Sequence, residues 1–91
     1  MSTRYSLTCS SPAYNQLARL WSQASPTMRL AITRASDEID QELLVDADQK
    51  GMPRSELSPT MRSIEVTPLR AYFEVREPDR LVRIHDYEQI P

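Results

Sequence analysis

The residues with most chemical range lie near the end of this 91-residue chain, where Arg83 and His85 alternate within the run Leu81 to His85. Two positions apart on an extended chain, they project from the same side. A histidine titrates near neutral pH, so His85 is a candidate acid or base. The competing reading is plainer: a lone histidine on a terminal strand is ordinarily a surface or edge residue. Ten of the eleven cations are arginine, Lys50 being the exception. Arginine offers a planar fork of donors suited to phosphate or carboxylate. An arginine-rich coding bias gives the same count, because composition alone does not gather the residues on one face. Arg54 lies in a polar stretch from which it can approach a ligand. Cys9 is the only cysteine, so an internal disulfide and a zinc site of several thiolates are both excluded. Asp37, Glu38, Asp40, Glu42, Asp46 and Asp48 concentrate acid without metal-site spacing, and a solvated helix face accounts for them. Neither a metal nor a cofactor is expected.

The elements that position these residues can be read from periodicity. Tyr5, Leu7 and Cys9 alternate with Arg4, Ser6 and Thr8, the pattern of a half-buried strand. Cys9 is thereby expected to be a buried, inert thiol. Ser10-Ser11-Pro12 supplies a serine cap and a proline for the first helical turn. Leu17, Leu20 and Trp21 then recur at helical spacing up to Ala24, which assigns Trp21 to the core. Ser25-Pro26 repeats the start signal, and Met28, Ile32, Ala35, Ile39 and Leu43 make the apolar stripe of a second helix. The short link implies a helical hairpin. Gly51 is a natural stop, and the stretch from Met52 to Pro59 reads as a polar loop. Beyond it the period returns to two. Arg62, Ile64 and Val66 make one run, Leu69, Ala71, Phe73 and Val75 the next, and Val82 and Ile84 the last. Short turns at Thr67-Pro68 and Glu77-Pro78-Asp79 join them into an antiparallel meander.

The expected fold is α+β: an N-terminal strand, a helical hairpin, then a three-stranded antiparallel meander, in a single domain over residues 1–91. A chain of this length with 40% hydrophobic residues can bury one modest core. The net charge of −2 argues against a generally basic nucleic-acid binder. No apolar run is long enough to cross a membrane, and Met1-Ser2-Thr3-Arg4 lacks the apolar stretch of a secretory leader. The cytoplasm is therefore the expected location.

Several segments carry a family likeness. They are the opening Tyr5-Ser6-Leu7, the second-helix residues Ala31, Ile32, Ala35, Ile39 and Leu43, Gly51 before the loop, and above all Arg62-Ser63-Ile64-Glu65-Val66-Thr67-Pro68-Leu69-Arg70-Ala71-Tyr72-Phe73-Glu74-Val75. In this order the chain resembles the RelE/ParE toxin superfamily of type II toxin–antitoxin systems, which includes plasmid-stabilisation proteins. The resemblance implies a toxin that inhibits an essential macromolecule and is neutralised by an antitoxin protein. One branch of that family cuts messenger RNA on the ribosome, and the other inhibits DNA gyrase. The alternative is a catalytically inert protein-interaction module on the same fold.

By the same resemblance, Arg70 matches the arginine that opens the family's third strand, either as a phosphate-binding cation or as a solvated arginine paired with a glutamate. Tyr87 falls near a catalytic tyrosine of some relatives, although packing against the sheet explains it as well. Ser63 and Glu65 stand where RNA-cutting relatives present basic residues, and a carboxylate there repels phosphate. That departure leans the reading away from an enzyme; were the chain active, it would be a ribosome-dependent mRNA endonuclease. The candidate catalytic set is thus Arg70, Arg83, His85 and Tyr87. Arg54 and Arg62 are the binding candidates, with Arg62 and Arg70 expected together on the open side of the meander.

Overall fold

The computed structural model describes residues 2–55 and 58–91. Its elements run β1 (Ser6–Cys9), α1 (Ser11–Ser22), α2 (Pro26–Leu43), a 3-10 turn (Ala47–Gln49), β2 (Met52–Ser55), β3 (Ser58–Val66), β4 (Leu69–Arg76) and β5 (Leu81–Gln89). One five-stranded sheet has the order β1-β5-β4-β3-β2. β1 lies parallel to β5, while β2 to β5 pair antiparallel in sequence order.

Both helices start where the serine–proline pairs place them. The Ser10 and Ser25 hydroxyls accept from the backbone N–H of Ala13 and Met28, each at 3.2 Å. Each satisfies one of the amide groups that a helix start leaves without a partner. Ser10 also donates to the His85 carbonyl at 3.2 Å, fixing the start of α1 against β5. The α2 stripe Ile32, Ala35, Ile39 and Leu43 is fully buried. It packs on the sheet face formed by Leu69, Ala71, Phe73, Val75, Val82 and Ile84. Full burial of a side chain such as Phe73 or Ile39 contributes about 1.5–3 kcal/mol.

Helix α2 is followed by a tight return. Asp46 and Gly51 take positive φ values of 51° and 65°. A side chain at Gly51 would put its Cβ 2.0 Å from the Ser63 carbonyl oxygen, so the backbone approach itself demands glycine.

Four features differ from the sequence expectations. The supposed loop contains a strand, because Met52 and Pro53 pair with Ser63 and Arg62, and the meander has four strands rather than three. Its prolines concealed it, yet Pro53 is tolerated because β2 is the sheet edge. Strand β5 runs on to Gln89 through a bulge: Tyr72 pairs with Asp86 and Phe73 with Ile84, leaving His85 between. The extra residue reverses the alternation, so Tyr87 joins Val82 and Ile84 on the helix side. Cys9 is exposed rather than buried, as the last residue of the edge strand β1. Trp21 is 44% exposed and not in the core, since Ala13 is the one fully buried residue of α1.

Candidate functional site

The side of the sheet away from the helices gathers Arg70, Tyr72, Glu74 and Arg76 from β4. Register adds Ser63 and Glu65 from β3, and Arg83, Asp86 and Glu88 from β5. Cross-strand neighbours stand close enough here to bond side chain to side chain. Arg70 lies between two carboxylates, with Nη1 donating to Glu88 Oε1 at 2.6 Å and Nε to Glu65 Oε1 at 2.8 Å; Nη2 also donates to Glu65. Tyr72 shares Glu88, its hydroxyl donating at 3.1 Å. The bonds to Glu65, then to Tyr72, push the guanidinium pKa above its already high value.

A second group forms around Glu74. Its Oε1 lies 3.3 Å from His85 Nε2 and 3.3 Å from Arg76 Nε. The bond with His85, followed by the charge of Arg76, lowers the Glu74 pKa against the opposing effect of burial. Arg83 pairs with Glu74 in register and is exposed.

Arg70, Arg83 and His85 therefore share one open face, but Tyr87 does not join them. It is 3% exposed on the helix side, where burial raises its pKa; the charges of Asp40 and Cys9 add to this, and a hydrogen bond with Ser36 opposes it. A phenol held neutral and shut inside the core cannot reach a substrate on the open face. Arg62 is also separated from Arg70. It pairs with Phe73, on the helix side, and its Nε and Nη2 donate to the carbonyls of Lys50 at 2.7 Å and Gly51 at 3.2 Å. Alternation with Ile64 and Val66 already carried that placement, so the expected pairing of Arg62 with Arg70 is corrected. Arg62 ties the return after α2 to β3. The Arg54 side chain lies outside the described residues.

Among the described residues, the open face carries three arginines, Arg70, Arg76 and Arg83, against four carboxylates, Glu65, Glu74, Asp86 and Glu88. Two of the arginines are bonded to glutamates. A phosphate group approaching it would meet carboxylates as often as guanidinium groups. Among the described residues, no group of three or more His, Cys, Asp or Glu side chains could hold a metal ion.

Sequence reasoning missed a second surface. An apolar groove of about 290 Å³ runs along the seam between α1 and α2, bounded by Tyr14, Leu17, Trp21 and Ile32 and closed by Ser36 and Asp37. It continues past Trp21 to Arg29 and Leu30. Arg29 sits 4.4 Å from the Trp21 ring centroid and donates to the Trp21 and Ser22 carbonyls at 3.0 and 2.9 Å. It thus caps α1 and fixes the indole at the surface by a cation–π contact. The available signal was the seven-residue step from Tyr14 to Trp21, together with Leu30 standing off the α2 stripe.

No protein-family model and no curated protein sequence matches the chain. Solved structures do. The RelBE2 toxin–antitoxin complex from Mycobacterium tuberculosis superposes with a TM-score of 0.73 at 16% identity, over 96% of this chain and 92% of that one. A chromosomal ParDE toxin–antitoxin system from P. aeruginosa gives 0.73 at 20% identity, covering 97% and 98%. The isolated E. coli RelE toxin gives 0.55 at 16% identity, covering 96% and 85%. The chain has the RelE/ParE fold.

Proposed function

We propose that this chain is a toxin-type protein that inhibits an essential macromolecule by binding it, and that an antitoxin neutralises it. The fold supports the toxin–antitoxin reading, since it is shared along nearly the whole chain with proteins solved as toxins and as toxin–antitoxin complexes. The mode of action rests on one observation. Arg70, the cation best placed to hold phosphate, is bonded to both Glu65 and Glu88. Cleavage of RNA at a 2′-hydroxyl needs uncompensated cations around the phosphorane and a group to move the proton. The open face offers His85 for the proton but balances its arginines with carboxylates. A protein target of the gyrase type fits this surface better than a ribosome-bound message, and the site of action would be the cytoplasm.

Inducible expression scored for growth tests the reading. Growth arrest relieved by a coexpressed partner from the adjacent gene is expected, with loss of gyrase supercoiling activity in a purified assay. Primer extension on translated messages should show no codon-positioned cuts; such cuts would move the chain to the RNA-cutting branch. Harmless expression, unchanged by Arg70→Ala, would leave the inert interaction module on the same fold. That second reading draws on the same Arg70 contacts, which leave the guanidinium engaged within the protein.

A further inference from the structure

Register places Arg70 directly across from Glu65 on β3 and from Glu88 on β5, so a carboxylate flanks it on each side. A guanidinium grips a pair of phosphate oxygens through one planar edge, either Nε with Nη2 or Nη1 with Nη2. Glu65 accepts from both Nε and Nη2, which occupies the first edge. Glu88 accepts from Nη1, which takes half of the second. Neither edge is left whole for a phosphate. The Tyr72 hydroxyl donates to the same oxygen of Glu88 and helps to hold that carboxylate in place. The fold gains little from this arrangement. The side chains of Glu65 and Glu88 are 52% and 49% exposed, and ion pairs in water add little stability.

Without these two carboxylates the described part of the open face would have a different character. Arg70, Arg76 and Arg83 would stand against Glu74 and Asp86 alone, with the rings of Tyr72 and His85 among them. Cations interleaved with rings that can stack on bases make a surface for single-stranded nucleic acid. We propose that Glu65 and Glu88 are specificity-determining residues: by engaging both edges of Arg70 they shut the phosphate backbone of nucleic acid out of the open face. This rests on the reading that the chain acts on a protein target, and it assigns the exclusion of the other class of target to two named side chains. Each carboxylate facing a phosphate about 4 Å away across water weakens its binding about fivefold. Glu65 is the stronger barrier, because it occupies a whole edge and Glu88 only one donor of the other.

Fluorescence anisotropy of the purified full chain with a labelled single-stranded RNA at low salt is the test. Glu65→Ala/Glu88→Ala should bind roughly twentyfold more tightly than wild type, with an affinity that falls as salt rises. Its thermal melt should stay close to wild type, because both side chains are half exposed. Glu65→Ala alone should gain more than Glu88→Ala alone. Adding Arg70→Ala to the double variant should remove most of the gain, which a general change of net charge would not require. Glu65→Gln/Glu88→Gln keeps the size of both side chains and should shift affinity in the same direction. A folded double variant that binds RNA no better than wild type would overturn the proposal. So would a gain that survives Arg70→Ala, or a larger gain from Glu88→Ala than from Glu65→Ala. Growth arrest and its relief by a partner do not enter these measurements. Harmless expression would therefore defeat the toxin reading without touching the RNA result, and an absent RNA gain would leave the toxin reading intact.

Discussion

The two broad surfaces of the protein handle exposure in opposite ways. On the open side of the sheet, Arg70 is bonded to Glu65 and Glu88, and Glu74 to His85 and Arg76. Its charges are largely satisfied within the chain. On the helical side, Tyr14, Trp21 and Leu30 face water beside a groove. Ion pairs in water contribute little net stability and lose nothing by staying exposed. Apolar surface in water carries a standing free-energy cost that a partner removes. The surface richest in charged groups is thus the one with less to gain from binding, and the helical hairpin holds the unspent binding free energy.

The comparison presumes a rigid wall between the two surfaces, and the largest predicted effect tests that wall. Phe73 has no exposed area and touches both helix and sheet neighbours. Phe73→Ala should cost about 3–5 kcal/mol in chemical denaturation and loosen both faces together. A cost below about 1 kcal/mol would mean that the helices do not depend on the sheet, and the contrast between faces would lose its basis.

Next in size is Trp21→Ala. The ring is half exposed and stacked by Arg29, so the loss should be about 1–2 kcal/mol, clearly below that of Phe73. Any binding that uses the hairpin should fall much more steeply than stability. Arg70→Ala, by contrast, should leave hairpin binding untouched. If the two variants affected partner binding equally, the division between the faces would be wrong.

The position of Trp21 also shows what was legible in the sequence. Its spacing from Leu17 and Leu20 assigned it to the core, whereas the ring lies at the surface in the groove between the helices, against Arg29. Periodicity gives direction, however, and says nothing about how far the sheet extends beneath a helix. Helix α1 meets the sheet at β5, and Trp21 stands beside Tyr14 on the flank of the helix that faces α2. The serine–proline caps, the α2 stripe and the β4 alternation were readable because each depends on residues within one or two turns. Strand β2 was not, since its pairing with β3 is made across residues that two prolines make look like loop. The β5 bulge was invisible for a related reason: an extra residue is defined only against the neighbouring strand. That one residue moved Tyr87 from a candidate beside His85 to the opposite side of the sheet. Arg62 differs, because its alternation with Ile64 and Val66 already placed it away from Arg70.

Tyr87 yields the third prediction. Its folded pKa lies above the ordinary value of 10.0, chiefly through burial. Below pH 10 both folded and unfolded chains keep the proton, and the contribution to stability is complete. As pH rises further the unfolded chain ionises first, so stability falls. Phenolate absorbance should show this tyrosine ionising only as the fold is lost. Tyr87→Phe should cost about 1 kcal/mol at pH 7 for the lost Ser36 bond and make alkaline unfolding less steep. A Tyr87 that titrates freely at pH 10 in the folded protein would return it to the surface and to candidacy.

The smallest effect belongs to the open face and follows from Glu74. Folding lowers its pKa below the ordinary 4.5, first through His85 and then Arg76. The folded chain therefore releases this proton more readily than the unfolded one. The pairing contributes fully above pH 4.5 and fades as pH falls through the lowered value, so stability declines on the acid side only. Glu74→Gln should flatten that acid limb while leaving the neutral melt close to wild type, because exposed pairs are screened by solvent and salt. High salt should mimic the substitution. Should Glu74→Gln instead destabilise the neutral protein as much as Trp21→Ala, the open face would be a structural network and not a hydrated surface. The apolar hairpin would then lose its claim to be the face that most needs a partner.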